Sequence, residues 1–386
     1  MKVTLFSQIL KLVDRSLFER LVRKHQSDKH TKGCNTWTHF VSMLFLQMAD
    51  MSSLRDISTG LRSATGNLSH LGLDRAPSKS ALSYRNKHRS HHFFEELYFR
   101  LVHHMSSSNP RQRLYARRLK RQVFIMDSSI IPLCLSLFDW AKFRTKKGAI
   151  KLHAVLDYDS GLPNYAVLTD GKKHDVRVAK EQNFPTGSVV VVDRAYVDYA
   201  WLNVLDSTGV FFVTRLKKNA RIEIAQRYLT NQKHEHILSD QQITLMGFYA
   251  SKRYSGKLRI VRIYDQINDK ELILLTNNMF WTANTISELY KARWDIEVFF
   301  KQLKQLFRVK SFVGTSANAV RIQMWCAMIA MLLLKFMKKK ARHNWHLSNL
   351  ISFLRLNLYT KINLWEWLDQ PFFIKPNPPP NQLLFS

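Results

Sequence analysis

Two aspartates in this chain close apolar runs, Asp127 after VFIM and Asp193 after VVVV, and a glutamate, Glu297, lies inside YKARWDIEVFFKQLKQ at 290–305. Adjacent parallel strands present their C-terminal ends at one sheet edge, where α/β ligand sites form. Two carboxylates there, with a third from a helix packed across the edge, make an all-oxygen donor set of the kind Mg²⁺ or Mn²⁺ takes. Two such ions about 3.5–4 Å apart activate a water or 3′-hydroxyl and stabilise the leaving oxygen of a phosphodiester. The three acids therefore point to metal-dependent phosphodiester chemistry.

The residues around Glu297 fit the same chemistry. Tyr290, Arg293, Glu297 and Lys304 fall on one narrow arc of a helix at about 100° per residue. Glu297 would face the metals, Arg293 and Lys304 would hold phosphates, and Tyr290 would pack on or hydrogen-bond to the nucleic acid. Leu289, Phe300, Leu303 and Phe307 form the adjacent apolar stripe that would pack on the sheet. Taken singly, each acid has a plainer role: an aspartate after a strand commonly caps a turn, and Glu297 can pair with Arg293 or Lys301. Asp157, Asp159 and Asp170 also sit at strand ends, but around a hairpin, whose antiparallel partner presents its opposite end. The combination of two buried-strand aspartates with the arc distinguishes the set.

These residues need a scaffold. Residues 1–115 read as a helical N-terminal domain with periodic apolar positions. Within it, SLRDISTGL, SHLGLDRA and PSKSALSYRNKHR resemble a helix–turn–helix, with Ser78 capping a second helix that exposes Lys79, Arg85, Lys87 and Arg89. A solvated basic face on a helical scaffold is an equal reading of that stretch. A basic linker at 111–122 leads to strand 123–127, then a hairpin of 151–158 and 162–171, a helix from Asp175, and strand 188–192. The run of four valines lacks alternation, as in a strand buried on both faces. A helix near 197–207, a strand at 210–217, a looser β-type segment to 266, a strand at 271–278 and a helix from about Thr285 follow. The expected divisions are a core in two parts, 116–217 and 267–345, a β-rich insertion at 218–266, and a C-terminal helix with Pro-rich tail at 346–386.

The totals agree. Lys and Arg number 59 against 29 acidic residues, a net +30 that is spread along the chain. Such a field attracts polyanions, nucleic acid first among them. Lys142, Arg144, Lys146 and Lys147, after the first strand, would track phosphates more loosely. Cys34, Cys134 and Cys326 are too scattered for a disulfide framework or a zinc site, which fits a reducing cytoplasm. MWCAMIAMLLL at 324–334 is shorter than the roughly 20 residues that span a bilayer, so it reads as a core helix with no membrane partner. His153 and His174 lie near the presumed site edge and read as structural.

At these motifs the chain resembles bacterial insertion-sequence transposases of the DDE type, and more narrowly the insertion-sequence-four subgroup with a Tyr-(2)-Arg-(3)-Glu-(6)-Lys signature. Tyr290, Arg293, Glu297 and Lys304 match that spacing in full, DRAY at 193–196 resembles the second-Asp motif, and MDSS at 126–129 the first. KGAIKLH and LLTNN are similar to intervening segments of such proteins, and the resemblance is strong over 115–340. It implies an α/β protein with an RNase H-like catalytic core, a mixed five-stranded sheet with flanking helices, interrupted by a β-rich insertion and preceded by a helical DNA-binding domain. It further implies Asp127, Asp193 and Glu297 as catalytic metal ligands for two Mg²⁺ or Mn²⁺ ions. Tyr290, Arg293, Lys304 and Arg194 would bind DNA, with Lys142, Arg144, Lys146, Lys147, Lys79 and Arg85 as further contacts. Partners would be double-stranded DNA, as transposon ends and target, and a second copy in a homodimeric synaptic complex. The implied reaction is cut-and-paste transposition through a hairpin, in which an insertion-domain aromatic (Phe248, Tyr249, Tyr254 or Trp281) stabilises a flipped base. A non-catalytic or decayed DNA-binding protein would need only the basic field, and a sequence-independent nuclease would not need a large basic N-terminal domain.

Overall fold

The computed structural model describes residues 3–64, 66–107, 119–133, 137–138, 140, 142–144, 147–229 and 235–372. They form two compact units, one of 1–93 with the chain from 325 onward, the other of 94–324.

The N-terminal chain makes α1 (Leu5–Leu10), α2 (Arg15–Lys24), α3 (Thr36–Met48), α4 (Leu54–Arg62) and α5 (Lys79–His88). Each begins where a side chain satisfies an orphan first-turn amide, from Thr4, Asp14, Asn35, Ser53 and Ser78 in turn. α3 is buried on nearly every side and forms the centre of its unit. Gly60 of α4 lets that helix approach α3 closely, since a Cβ there would meet Phe45 at 2.8 Å. α4 and α5 are not joined by the tight turn of a helix–turn–helix, which takes about 3–4 residues. Residues 63–78 intervene, pinned by the buried Leu71 and Leu73.

The second unit holds most of α6 (His91–Ser107), then β1 (Val123–Leu133), β2 (Lys142–Arg144), β3 (Lys147–Asp157), β4 (Leu162–Asp170), α7 (Asp175–Lys180), β5 (Val189–Val192), α8 (Tyr199–Ser207) and β6 (Phe211–Arg215). It continues with β7 (Arg221–Tyr228), β8 (Ile237–Met246), α9 (Phe248–Arg253), β9 (Leu258–Asp265), β10 (Lys270–Thr276), α10 (Ala283–Ala292) and α11 (Trp294–Leu306). The expected mixed five-stranded core is present as β4-β3-β1-β5-β6, antiparallel from β4 to β1 and parallel from β1 to β6. All four valines of β5 are fully buried, as their lack of alternation requires. Among its described residues, the stretch expected as a β-rich insertion carries three strands, β7, β8 and β9, with the short helix α9 between the last two. β10 pairs antiparallel with β6, and β9, β8 and β7 follow outward, so core and insertion share one sheet.

LLTNN serves that junction. Asn277 accepts from the Phe212 amide at 3.0 Å and donates to Asp206 Oδ1 at 2.7 Å, whose other oxygen accepts from the buried Tyr254 hydroxyl. Asn278 accepts from the Phe280 and Trp281 amides, shaping the entry to α10.

α12 (Ala317–Lys340), α13 (Leu347–Asn357) and α14 (Leu364–Asp369) complete the chain. The apolar run at 324–334 is the middle of a helix of 24 residues, longer than the run itself suggested and long and apolar enough to cross a membrane. Its apolar window is 83% buried within the protein, so it is a core helix. The segment after α13 closes on α1: the Leu5 and Phe6 amides donate to Thr360 and Leu358 carbonyls, and Gln8 donates to Ile362. The divisions expected at 115 and 346 are therefore not the packing units, because the N-terminal helices complete their core with C-terminal ones.

Candidate active site

Strand register decides what meets at the sheet edge. β1 and β5 are parallel with Met126 opposite Val192, which sets Asp127 beside Asp193. β5 and β6 are parallel with Val191 opposite Val213, which sets Asp193 in line with Arg215. Adjacent strands lie about 4.8 Å apart, so Asp127, Asp193 and Arg215 form a row across three neighbouring strands. Asp127 does not end its strand, as the apolar run implied. Its pairing with β5 stops at Met126, while β1 continues to Leu133 against β3. The hydrophobic run marks where burial ends, and the main-chain ladder outlasts it.

Both aspartates are held alike. Asp127 Oδ1 accepts from the Ser128 amide at 2.8 Å and Asp193 Oδ1 from the Arg194 amide at 2.7 Å, which leaves the second oxygen of each for a ligand. Burial pushes the Asp127 carboxyl up to about 6; the Ser128 amide and Arg293 oppose this, and Asp193 and Glu297 add to it. Those couplings place both Asp193 and Glu297 within electrostatic reach of Asp127. Burial acts the same way on Asp193, but the Arg194 amide and the Arg215 and Arg293 guanidiniums outweigh it and hold its carboxyl below the ordinary value.

Glu297 enters from the first turn of α11, which packs on β1. The helix expected through 290–305 is interrupted at Arg293, which ends α10 and starts α11. Its amide bonds back three residues, to Tyr290, a local tightening that turns the arc. Arg293 Nη1 lies 2.6 Å from Glu297 Oε1, and Arg215 Nη2 lies 2.8 Å from Asp193 Oδ1. The ligand oxygens of the three acids are not all within 4.8 Å of one another. The donor set nonetheless suits a hard divalent cation, since two acids already hold a cationic group and the third is buried against its charge.

The remaining expected residues scatter. Tyr290 is 7% exposed, with Arg293 5.7 Å from its ring centre, so it is a wall beneath the arginine and not a free surface for DNA. Lys304 donates to the Ile130 carbonyl at 2.9 Å, tying α11 to β1. Arg194 is half-buried beside Asp193. Lys142 and Arg144 lie in β2 and Lys147 opens β3, while Lys146 is outside the described residues. Lys79 is exposed on α5 and Arg85 half-buried, but Arg89 is buried and donates to the Ser27, Asn35 and Cys34 carbonyls and to Asp28, since α5 ends against that loop. His153 is buried, bonded to Thr169 and 3.4 Å from Asp175, in keeping with a structural role; His174 is exposed, at the start of α7. Arg215 was not among the expected residues. Its signal is present all the same: like the two aspartates, it follows a run (FFVT) in the same register.

A mixed sheet with acids on adjacent strands and a glutamate from a helix packed on them is the frame of an RNase H-like core, the fold of a polynucleotidyl transferase. Residues 118–333 match the transposase DDE domain, and residues 1–74 match a domain of unknown function (DUF4372). The chain belongs to the DDE transposase family, enzymes that act on DNA with divalent metal ions. The protein y4zB of Sinorhizobium fredii, named as a transposase, is 29% identical over 67% of this chain and 71% of its own length. The protein of Geobacillus stearothermophilus named as the transposase for insertion sequence element IS5377 is 30% identical over 66% of this chain and 67% of its own. One from a Synechocystis strain, named for element IS4SA, is 24% identical over 75% and 81%.

Proposed function

We propose that this transposase binds the terminal inverted repeats of an insertion sequence and moves it by a cut-and-paste route with a hairpin intermediate, as a member of the insertion-sequence-four subgroup. The row of Asp127 and Asp193 facing Glu297 carries this reading. Two Mg²⁺ or Mn²⁺ ions held by these three would supply Lewis-acid stabilisation and an activated oxygen nucleophile. The chain's own part is orientation. The Ser128 and Arg194 amides fix one oxygen of each aspartate, Tyr290 and Arg293 wall one side, and Lys304 keeps donors for phosphate beyond the one used on Ile130. Lys79 and Arg85 on α5 supply further DNA contacts from the N-terminal helices, and a homodimer would pair two ends. The test is cleavage of DNA carrying the element's ends with Mg²⁺, wild type against Asp193→Ala. We expect the variant to lose at least ~10³-fold of the rate; a variant that cuts as well as wild type ends the assignment, and a wild type that binds ends without cutting makes the chain a binding protein.

The aromatic for a flipped base is Phe248 or Tyr249, which are 75% and 76% exposed and stand edge-to-face on α9. Tyr254 is buried on Asp206, and Trp281 is half-buried against Phe211. Phe248→Ala or Tyr249→Ala should slow hairpin formation on end DNA by about 10-fold, since base–aromatic stacking contributes about 1–3 kcal/mol, while 2-aminopurine fluorescence at the flipped position drops. If neither variant changes the fluorescence, the assignment is wrong.

A further inference from the structure

We propose that Arg215 and Arg293 are resident counter-cations of the acidic cluster, which they exchange for DNA phosphates when divalent metal loads. This rests on the metal-site reading above. Arg293 sits on Glu297 Oε1 at 2.6 Å, and Arg215 on Asp193 Oδ1 at 2.8 Å, the oxygen the Arg194 amide also holds, so each guanidinium offsets the charge of a carboxylate that a metal would otherwise neutralise. Arg293 also acts on Asp127 and Asp193, so the two guanidiniums together reach every acid of the set. Neither is fully satisfied. The Nε atoms of both are buried without a hydrogen-bond partner, and a guanidinium has five donors in a planar fork matched to phosphate oxygens. Both side chains are partly open, 27% exposed for Arg215 and 15% for Arg293, so a small rotation can turn them from carboxylate to incoming backbone.

Charge arithmetic makes the exchange reciprocal. Three carboxylates against two guanidiniums leave the cluster at −1 once Asp127 is ionised. One divalent ion brings it to +1, and a second would bring it to +3 unless phosphates arrive. Metal therefore repels the arginines from their acids, phosphate accepts them, and the full metal complement waits for DNA. By linkage each ligand must strengthen the other to the same degree.

The test is Mn²⁺ binding to the full-length, DNA-free protein, read as free Mn²⁺ by electron paramagnetic resonance. Arg215→Gln and Arg293→Gln should bind Mn²⁺ tighter than wild type, by about twofold to fivefold, the range a partly exposed ion pair supports. Arg215→Lys keeps the cation and should stay close to wild type, which separates charge from packing. Binding to a short duplex of arbitrary sequence supplies the second readout. With Ca²⁺ present, Arg215→Gln should lower the slope of log affinity against log salt by about 1, and in EDTA the difference should vanish. Unchanged or weaker Mn²⁺ binding in both glutamine variants overturns the proposal, as does an equal slope change in EDTA. Asp193→Asn separates the two levels. It must weaken Mn²⁺ binding; if it does not, the metal-site reading itself fails and the exchange falls with it.

Discussion

Asp127→Asn will abolish metal-dependent strand cleavage and, in the same protein, raise the melting temperature of the metal-free chain at pH 7. Loss of cleavage follows from removing an anionic oxygen donor from the acidic set. The gain in stability follows from burial, which lifts the carboxyl from its ordinary 3.8 to about 6. A carboxyl raised in this way binds its proton more tightly folded than unfolded. The stability it contributes is complete below about pH 4 and is lost as pH rises through about 6. At pH 7 the ionised, half-compensated group costs about 1–3 kcal/mol, and asparagine removes that cost. Thermal melts without metal should therefore show the variant ahead at pH 7 and level with wild type near pH 4. A variant that melts lower at pH 7 would mean that burial does not dominate at Asp127. A site residue that destabilises its own fold is a known form of the stability–activity trade-off.

The second large effect lies in the outer sheet. Arg259 and Asp240, both about 5% exposed, form a bidentate pair between β9 and β8, at 2.7 Å and 2.5 Å. Arg259 also donates to the Trp281 carbonyl at 2.6 Å and lies 5.2 Å from the Tyr228 ring centre. One residue thus joins β7, β8, β9 and the segment that enters α10. Arg259→Ala or Asp240→Ala strands a buried charge and should cost about 3–5 kcal/mol, measured as a lower denaturant midpoint. Removing both partners together (Arg259→Met with Asp240→Leu) should cost much less than either single change, because no charge is left unpaired. Hydrogen exchange in the single variants should rise first in β8, β9 and around Trp281. A single-variant loss below about 1 kcal/mol would mean that water reaches the pair.

Local chemistry was legible in the residues themselves. Apolar runs stopped by a charge located β1 and β5 and their aspartates, because burial ends where solvation of a carboxylate begins. The Tyr-Arg-Glu-Lys spacing located the helical arm, and Ser78 located the start of α5, because a cap is a contact between residues three apart. Relations among distant segments had no such trace. Nothing local says that Arg215 lines up with Asp193, that Lys304 finds the Ile130 carbonyl, or that β10 bridges the core to β9. The same holds for the exposure of Phe248 against the burial of Tyr254, and for the closing of α1 by the chain near Thr360. By itself the sequence determined which residues could do the chemistry and which elements carry them, since caps and periodicity act over a few residues. The tertiary structure alone decided which of them face one another, because strand register and long-range closure are settled by packing across the whole sheet.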